Sequence, residues 1–256
     1  MDARPAPLDL NADLGESWGS TRRGDDEAML ELVTTANIAC GGHAGDPSTM
    51  RRATAGAARR QVAITAHVAY PDLPGFGRRF VDLSPTELTD QVVVQAGGLM
   101  AVAAAEGTRV RGIKPHGALY NALAHHEVQA DAVVRALSEL GGQLSLVAAP
   151  GSLVATKARA AGIDVVLEAF ADRAYLPDGT LVPRDRAGAT LTDPEDVARQ
   201  ALSISTEQRV RAADGSWIEL PCRTLCLHGD TPGAVELARA VRDGLASAGV
   251  KLQAAL

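Results

Sequence analysis

Lys114 and His116 stand two residues apart in KPHG (114–117), and histidines recur at His43, His67 and His228 in three other segments. A lysine in an apolar mouth serves as a fixed cation or, once its pKa shifts, as a proton carrier. A histidine beside it exchanges protons near neutrality. Carboxylates complete the set. Asp9, Asp13 and Glu16 share DLNADLGE (9–16) with Asn11, and Glu168, Asp172 and Arg173 share VVLEAFADRAY (165–175). These types can do acid–base work, stabilise charge or, through Asp13, His43 and His67, hold a metal. No HxxH or HExxH spacing favours the metal.

Each segment also has a plainer explanation. Asp9, Asn11 and Asp13 alternate onto one strand face, where a lone buried carboxylate is costly; a turn and helix cap would account for them equally well. In ANIACGGH (36–43), Asn37 precedes Gly41 and Gly42, whose backbone can approach a ligand and offer N–H donors. Asp46-Pro47 then starts a helix whose N-terminus favours an anion. His67 is followed by GFGRR (75–79), a loop that can present Arg78 to a carboxylate or phosphate. The Asp172-Arg173 step reads as readily as a structural ion pair, Asp230 as a cap. His125 and His126 precede a helix and are expected at the surface.

The elements that must position these groups are seven apolar runs: 9–16, 35–43, 62–70, 111–121, 144–151, 165–175 and 224–230. Helical patterns lie between most of them, at about 25–34, 46–60, 84–106, 126–140, 151–161, 193–207 and 231–248. Asp46-Pro47, Ser84-Pro85, Asp193-Pro194 and Thr231-Pro232 mark helix starts, and Ser84 with Glu87 fits a capping box. Strands alternating with helices imply an α/β fold with a parallel sheet. The expectation is one distorted TIM-like (β/α) barrel of seven strands over residues 1–256, with its chemistry at the carboxyl ends of the strands. Residues 178–192 read as an insertion of extended segments. Residues 208–221 read as a hairpin turning on a type I′ Asp214-Gly215.

Bulk properties narrow the function. A net charge of −6 argues against nucleic acid or a membrane surface as partner. No 18-residue apolar stretch is read, so no transmembrane helix is expected, and the first residues lack a signal-peptide core. Three cysteines without CxxC imply a reducing compartment, the cytoplasm, and Cys226 reads as a small buried hydrophobe. P-loop, GxGxxG and GxSxG patterns are absent.

LDLNADLGES, ANIACGGHAGDP, AHVAYPD with GFGRR, KPHGALYN, EAFADRAY and HGD resemble, in order, the LamB/YcsF family of lactam-utilisation proteins, described as the A component of 5-oxoprolinase. The resemblance implies a seven-stranded barrel of the glycoside hydrolase/deacetylase type. It also implies a hydrolase that opens 5-oxo-L-proline to L-glutamate with ATP as co-substrate, together with Mg²⁺. Subunits B and C would be its partners; no organic prosthetic group is implied, and a homo-oligomer is open. On the matching positions, Asp13, His43, His67, Lys114 and His116 are candidates for catalysis. Asn11, Asn37, Gly41, Gly42, Arg78, Glu168, Arg173 and His228 are candidates for substrate binding. Two rivals stand beside this: a metal-dependent deacetylase or amidohydrolase on a similar barrel, and a non-catalytic component that only binds the lactam.

Overall fold

Seven of the chain's strands are parallel and close into a barrel in chain order. The computed structural model describes residues 6–141, 143–231 and 233–256. The first six barrel strands are β1 (Asp9–Leu14), β2 (Thr35–Ala39), β3 (Ala63–Val68), β4 (Val110–Pro115), β5 (Ser145–Ala148) and β6 (Val165–Phe170). A hairpin of β7 (Arg209–Arg211) and β8 (Trp217–Glu219) precedes β9 (Thr224–His228), which pairs with both β6 and β1 and closes the ring. The register sets the site: Asp13 stands beside Asn37 and His228, and His67 beside Lys114.

The helices are α1 (Asp26–Leu30), α2 (Pro47–Arg60), α3 (Pro85–Ala105), α4 (Gly117–Ala122), α5 (Glu127–Glu139), α6 (Leu153–Ala160), α7 (Pro194–Glu207) and α8 (Ala234–Ser247). Asp46, Ser84 and Asp193 cap α2, α3 and α7 with a proline behind each, and Ser84 forms the full box with Glu87. The expected Thr231-Pro232 start is different. Pro232 lies outside the described residues, and α8 begins after Gly233.

Apolar side chains such as Leu10, Ala12 and Leu14 pack in the core, between the strands and the helices. The barrel interior is polar instead. Asn11, Asp13, Asn37, Thr65, Lys114, Glu168 and Thr224 are buried and hydrogen-bond one another across it. Branched apolar layers usually fill such a barrel, so this polar filling marks a place reserved for chemistry.

Four expectations need correction. The run 111–121 is two elements, because β4 stops at Pro115 and α4 starts at Gly117. The hairpin turn is not type I′. Positive φ falls on Gly215 but not on Asp214, and the Gly215 N–H donates to the Ala212 carbonyl, as in a type I turn closed by a left-handed glycine. Helix α3 is long and apolar enough by length and composition to cross a membrane, with mean hydropathy 1.3, contrary to the expectation that no such stretch exists. Its run of Val, Ala, Gly and Leu holds few charges, and Leu88, Val92, Ala96, Leu99 and Ala103 are buried in the core. The strand runs also overshoot, so His43 and His116 stand on the turns just past β2 and β4.

Candidate active site

Lys114 sits at the centre of the strand ends, with 2% of its surface exposed. Its Nζ lies 2.9 Å from Asp13 Oδ1, 2.9 Å from Glu168 Oε1, 2.9 Å from Cys226 Sγ and 3.3 Å from Asn11 Oδ1. Burial opposes the ammonium charge, but Asp13, with Cys226 and Glu168, outweighs it and holds the pKa well above the usual lysine value. Asn37 donates to Asn11 Oδ1 and Asp13 Oδ1 at 2.7 and 2.9 Å, and accepts from Thr65 at 2.6 Å. Asn11 in turn donates to Glu168 and Thr224. Beneath them the Thr34, Thr35 and Thr224 hydroxyls donate to Asp9.

A histidine cluster lies alongside. His67 Nδ1 is 3.0 Å from the Lys114 carbonyl, and His116 Nε2 is 2.9 Å from the Phe76 carbonyl. Carbonyls only accept, so both of these nitrogens carry hydrogen. The remaining nitrogens, His67 Nε2 and His116 Nδ1, face each other at 3.0 Å. Asp13 Oδ2 is 3.3 Å from His67 Nε2. His43 stacks on His116 with ring centroids 3.7 Å apart, places Nε2 2.9 Å from Glu16 Oε1, and leaves buried Nδ1 without a partner.

The electrostatics follow from burial and these contacts. Burial, with the His67 charge, holds His43 well below the usual histidine value; burial and the neighbouring rings do the same for His116. Burial works against charge on His67 too, yet Asp13 outweighs it and raises the pKa. Asp13 resists burial through His67 and Lys114 and ionises well below the carboxylate norm. Glu16 is pushed up to about 7 by burial and by the Asp13 charge.

The loop after β3 covers this mouth. Phe76 adopts φ 53° and stands edge-on to both His43 and His116. A Cβ on Gly77 would come within 2.9 Å of both His116 Cδ2 and His43 Cβ, so only glycine lets the loop lie this close. Arg23 lies 4.1 Å from the Phe76 ring centroid, and Arg78 ties the loop to Asp230 at 2.7 Å. A concavity of about 770 Å³ lies at the opposite end of the barrel, beside Arg59, Arg109 and Arg111. The polar groups of the mouth, Asp13, Glu16, His43, His67, Lys114 and His116, are all buried.

Asp13, His43, His67, Lys114 and His116 thus meet, with Asn11, Asn37 and Glu168 among them. His228 lies at the same rim. Its Nδ1 and backbone N–H donate to Asp172, and its ring stacks on Phe170 at 5.3 Å. Asp172 therefore pairs with His228, not with Arg173. Arg173 differs from its expected substrate-binding role. It donates to the Ala189 and Val182 carbonyls and holds the 178–192 segment, and burial lowers its pKa to about 10. The N–H of Gly41 is spent on the Ala44 carbonyl. Gly42 is buried, and a Cβ there would meet the Gln95 carboxamide at 2.5 Å. The N-terminus of α2 is filled by Asp46 itself, which accepts from Ser48 and Thr49, so the anion expected there is the chain's own. Cys226 is no mere hydrophobe but a partner of Lys114. Its place two residues before His228 is the available signal. Glu16 stands out in the sequence only as part of a cluster, and Phe76 and Tyr120 do not stand out at all. Tyr120 Oη and Glu168 Oε2 are buried, and burial with the neighbouring Glu168 pushes the Tyr120 hydroxyl well above its usual pKa.

Residues 8–256 match the sequence model of the LamB/YcsF family. The A component of 5-oxoprolinase from Nocardia farcinica is 52% identical over 248 residues, covering 97% of this chain and 99% of that one. The crystal structure of a lactam utilization protein from Thermus thermophilus superposes with a TM-score of 0.92 at 45% identity, covering 97% of this chain and 99% of that one. A polysaccharide deacetylase from Bacillus cereus shares the fold alone, with a TM-score of 0.50 and 14% identity over 99% of this chain and 93% of that one.

Proposed function

The chain belongs to the LamB/YcsF family, and we propose that it is the A component of an ATP-dependent 5-oxoprolinase that opens 5-oxo-L-proline to L-glutamate with subunits B and C. One observation carries the assignment of chemistry to this chain: a buried ammonium, Lys114, held by two carboxylates at the carboxyl ends of barrel strands, beside a neutral imidazole, His43, with a free nitrogen.

An unstrained lactam is a poor electrophile. Transfer of the terminal phosphoryl group of ATP to the lactam oxygen activates the ring carbon and releases ADP. One water then adds to that carbon as the C–N bond breaks, and a second water releases phosphate from the resulting acyl phosphate. The sum is 5-oxoproline, ATP and two waters giving glutamate, ADP and phosphate. Lys114 stabilises the negative charge that develops on the substrate oxygens. His43 Nδ1 accepts the proton of the attacking water, since His43 is neutral at pH 7 and Nδ1 is uncommitted. Asp13 stays ionised and holds Lys114 and His67 in place. The chain has no recognised nucleotide loop, so Mg²⁺ and ATP are assigned to the assembled complex. Its three buried free thiols suit a cytoplasmic enzyme.

The test is release of glutamate and ADP from 5-oxoproline by the chain alone, then with the two partner proteins. ATP-coupled turnover only in the assembly is the expected result. Amide hydrolysis by the chain alone without ATP would favour the amidohydrolase reading. Full turnover with a disabled mouth would favour a purely binding role.

A further inference from the structure

We propose that Glu16, His67 and His116 form a divalent transition-metal site, with His43 as the outer group that orients Glu16. The inference stands on geometry and tautomers and does not depend on the lactam assignment. The Lys114 and Phe76 carbonyls fix hydrogen on His67 Nδ1 and His116 Nε2. With a metal bound and both rings neutral, each ring turns a lone pair inward, and the two nitrogens stand 3.0 Å apart. Two acceptors cannot bond one another, so either a metal ion or a proton on His67 Nε2 lies between them. Backbone carbonyls on the outer nitrogens are the usual support of metal-bound histidines.

A carboxylate oxygen supplies the third corner. Glu16 Oε1 lies 3.6 Å from His116 Nδ1 and 3.9 Å from His67 Nε2. The three separations lie around the edge of about 3.3 Å expected of a tetrahedron with metal–ligand bonds of about 2.0–2.1 Å. His43 Nε2, 2.9 Å from the same oxygen, then donates its hydrogen to Glu16, which leaves Nδ1 bare. Two imidazoles and a carboxylate, all buried, are the donor set of an open catalytic site for zinc, manganese, iron or cobalt. The sequence spaces the three ligands across 100 residues on three different strand ends, which is why no short motif marks them. A bound ion would polarise a substrate oxygen or water at the mouth.

The competing filling is a proton on His67 Nε2, shared with Asp13 and His116. Co²⁺ uptake by the full chain, followed by equilibrium dialysis and visible absorption after chelation, separates the two. The parent should take up about one Co²⁺ per chain and show a d–d spectrum of nitrogen and oxygen ligands. Glu16→Gln and His116→Gln should weaken uptake by about 100-fold or more, beyond the 10–100-fold typical of losing an outer partner. His125→Gln, at the surface, should leave uptake unchanged. Histidine ¹⁵N spectra of the parent with Zn²⁺ give a readout that needs no variant to fold. His67 Nε2 and His116 Nδ1 should become the metal-bound nitrogens. No uptake by the parent, uptake unchanged in both ligand variants, uptake lost in His125→Gln, or metal on the opposite nitrogens would each overturn the proposal.

Discussion

Replacing Lys114 with methionine should destabilise the barrel by about 3–5 kcal/mol at neutral pH, not merely slow the enzyme. The side chain is almost fully buried, and its ammonium is 2.9 Å from both the Asp13 and Glu168 carboxylates. At an effective dielectric constant of about 20, each such contact is worth about 6 kcal/mol in Coulomb terms. Several kcal/mol of desolvation per ion offset most of that, and removing one partner of a buried pair costs about 3–5 kcal/mol. A domain of this kind has about 5–15 kcal/mol in all. The sign with pH is fixed by Asp13. Its depressed pKa contributes stability that is present above the unfolded value of about 3.9 and is lost as pH falls through the folded value. Lys114→Met removes part of that depression while the burial remains. The gap between parent and variant should be full at pH 7 and narrow as pH falls toward and below 4. Urea unfolding followed by circular dichroism measures it. Adding Glu168→Gln to Lys114→Met should restore about 1–3 kcal/mol by removing an unpaired buried charge. A Lys114→Met chain within about 1 kcal/mol of the parent at pH 7, far below the loss expected for a buried pair, would refute this reasoning.

Gly42→Ala should cost about 1–3 kcal/mol in thermal unfolding, because its Cβ displaces Gln95 from the Ala69 backbone that it brackets with two hydrogen bonds. Arg173→Met should release the 178–192 segment; trypsin should then cut at Arg184 or Arg186 sooner than in the parent, as gel electrophoresis will show. Asp172→Asn should leave His228 without its acceptor and lower turnover of the assembled enzyme by more than about tenfold, by analogy with loss of an orienting partner, while circular dichroism stays unchanged.

The strand pattern is enough to place Asp13, His67, Lys114, Glu168 and His228 at one end of a seven-stranded barrel, because alternation along a strand and parallel closure are local rules. Which of them touch is not legible. The Lys114–Asp13 contact joins residues 101 apart, and Lys114–Cys226 joins residues 112 apart; both are set by curvature around the closed sheet. Cys226 looks apolar because its neighbours Leu225 and Leu227 are. Arg173 looks available to a ligand because nothing in EAFADRAY says that a loop carbonyl 9 or 16 residues on will fold back onto it. KPHGALYN reads as one run because Gly117, at φ 55°, turns a strand into a helix within a single residue of His116.

Opening of the lactam at the mouth of the barrel is the central proposal. The most direct measurement is 5-oxoproline-dependent glutamate release by the chain assembled with its partner proteins, with His43→Gln set against the parent. The variant keeps its fold and its place in the assembly and is expected to lose about 10²–10⁴-fold in turnover, the usual contribution of a general base. Turnover within about threefold of the parent, far short of a general base's usual contribution, would contradict it.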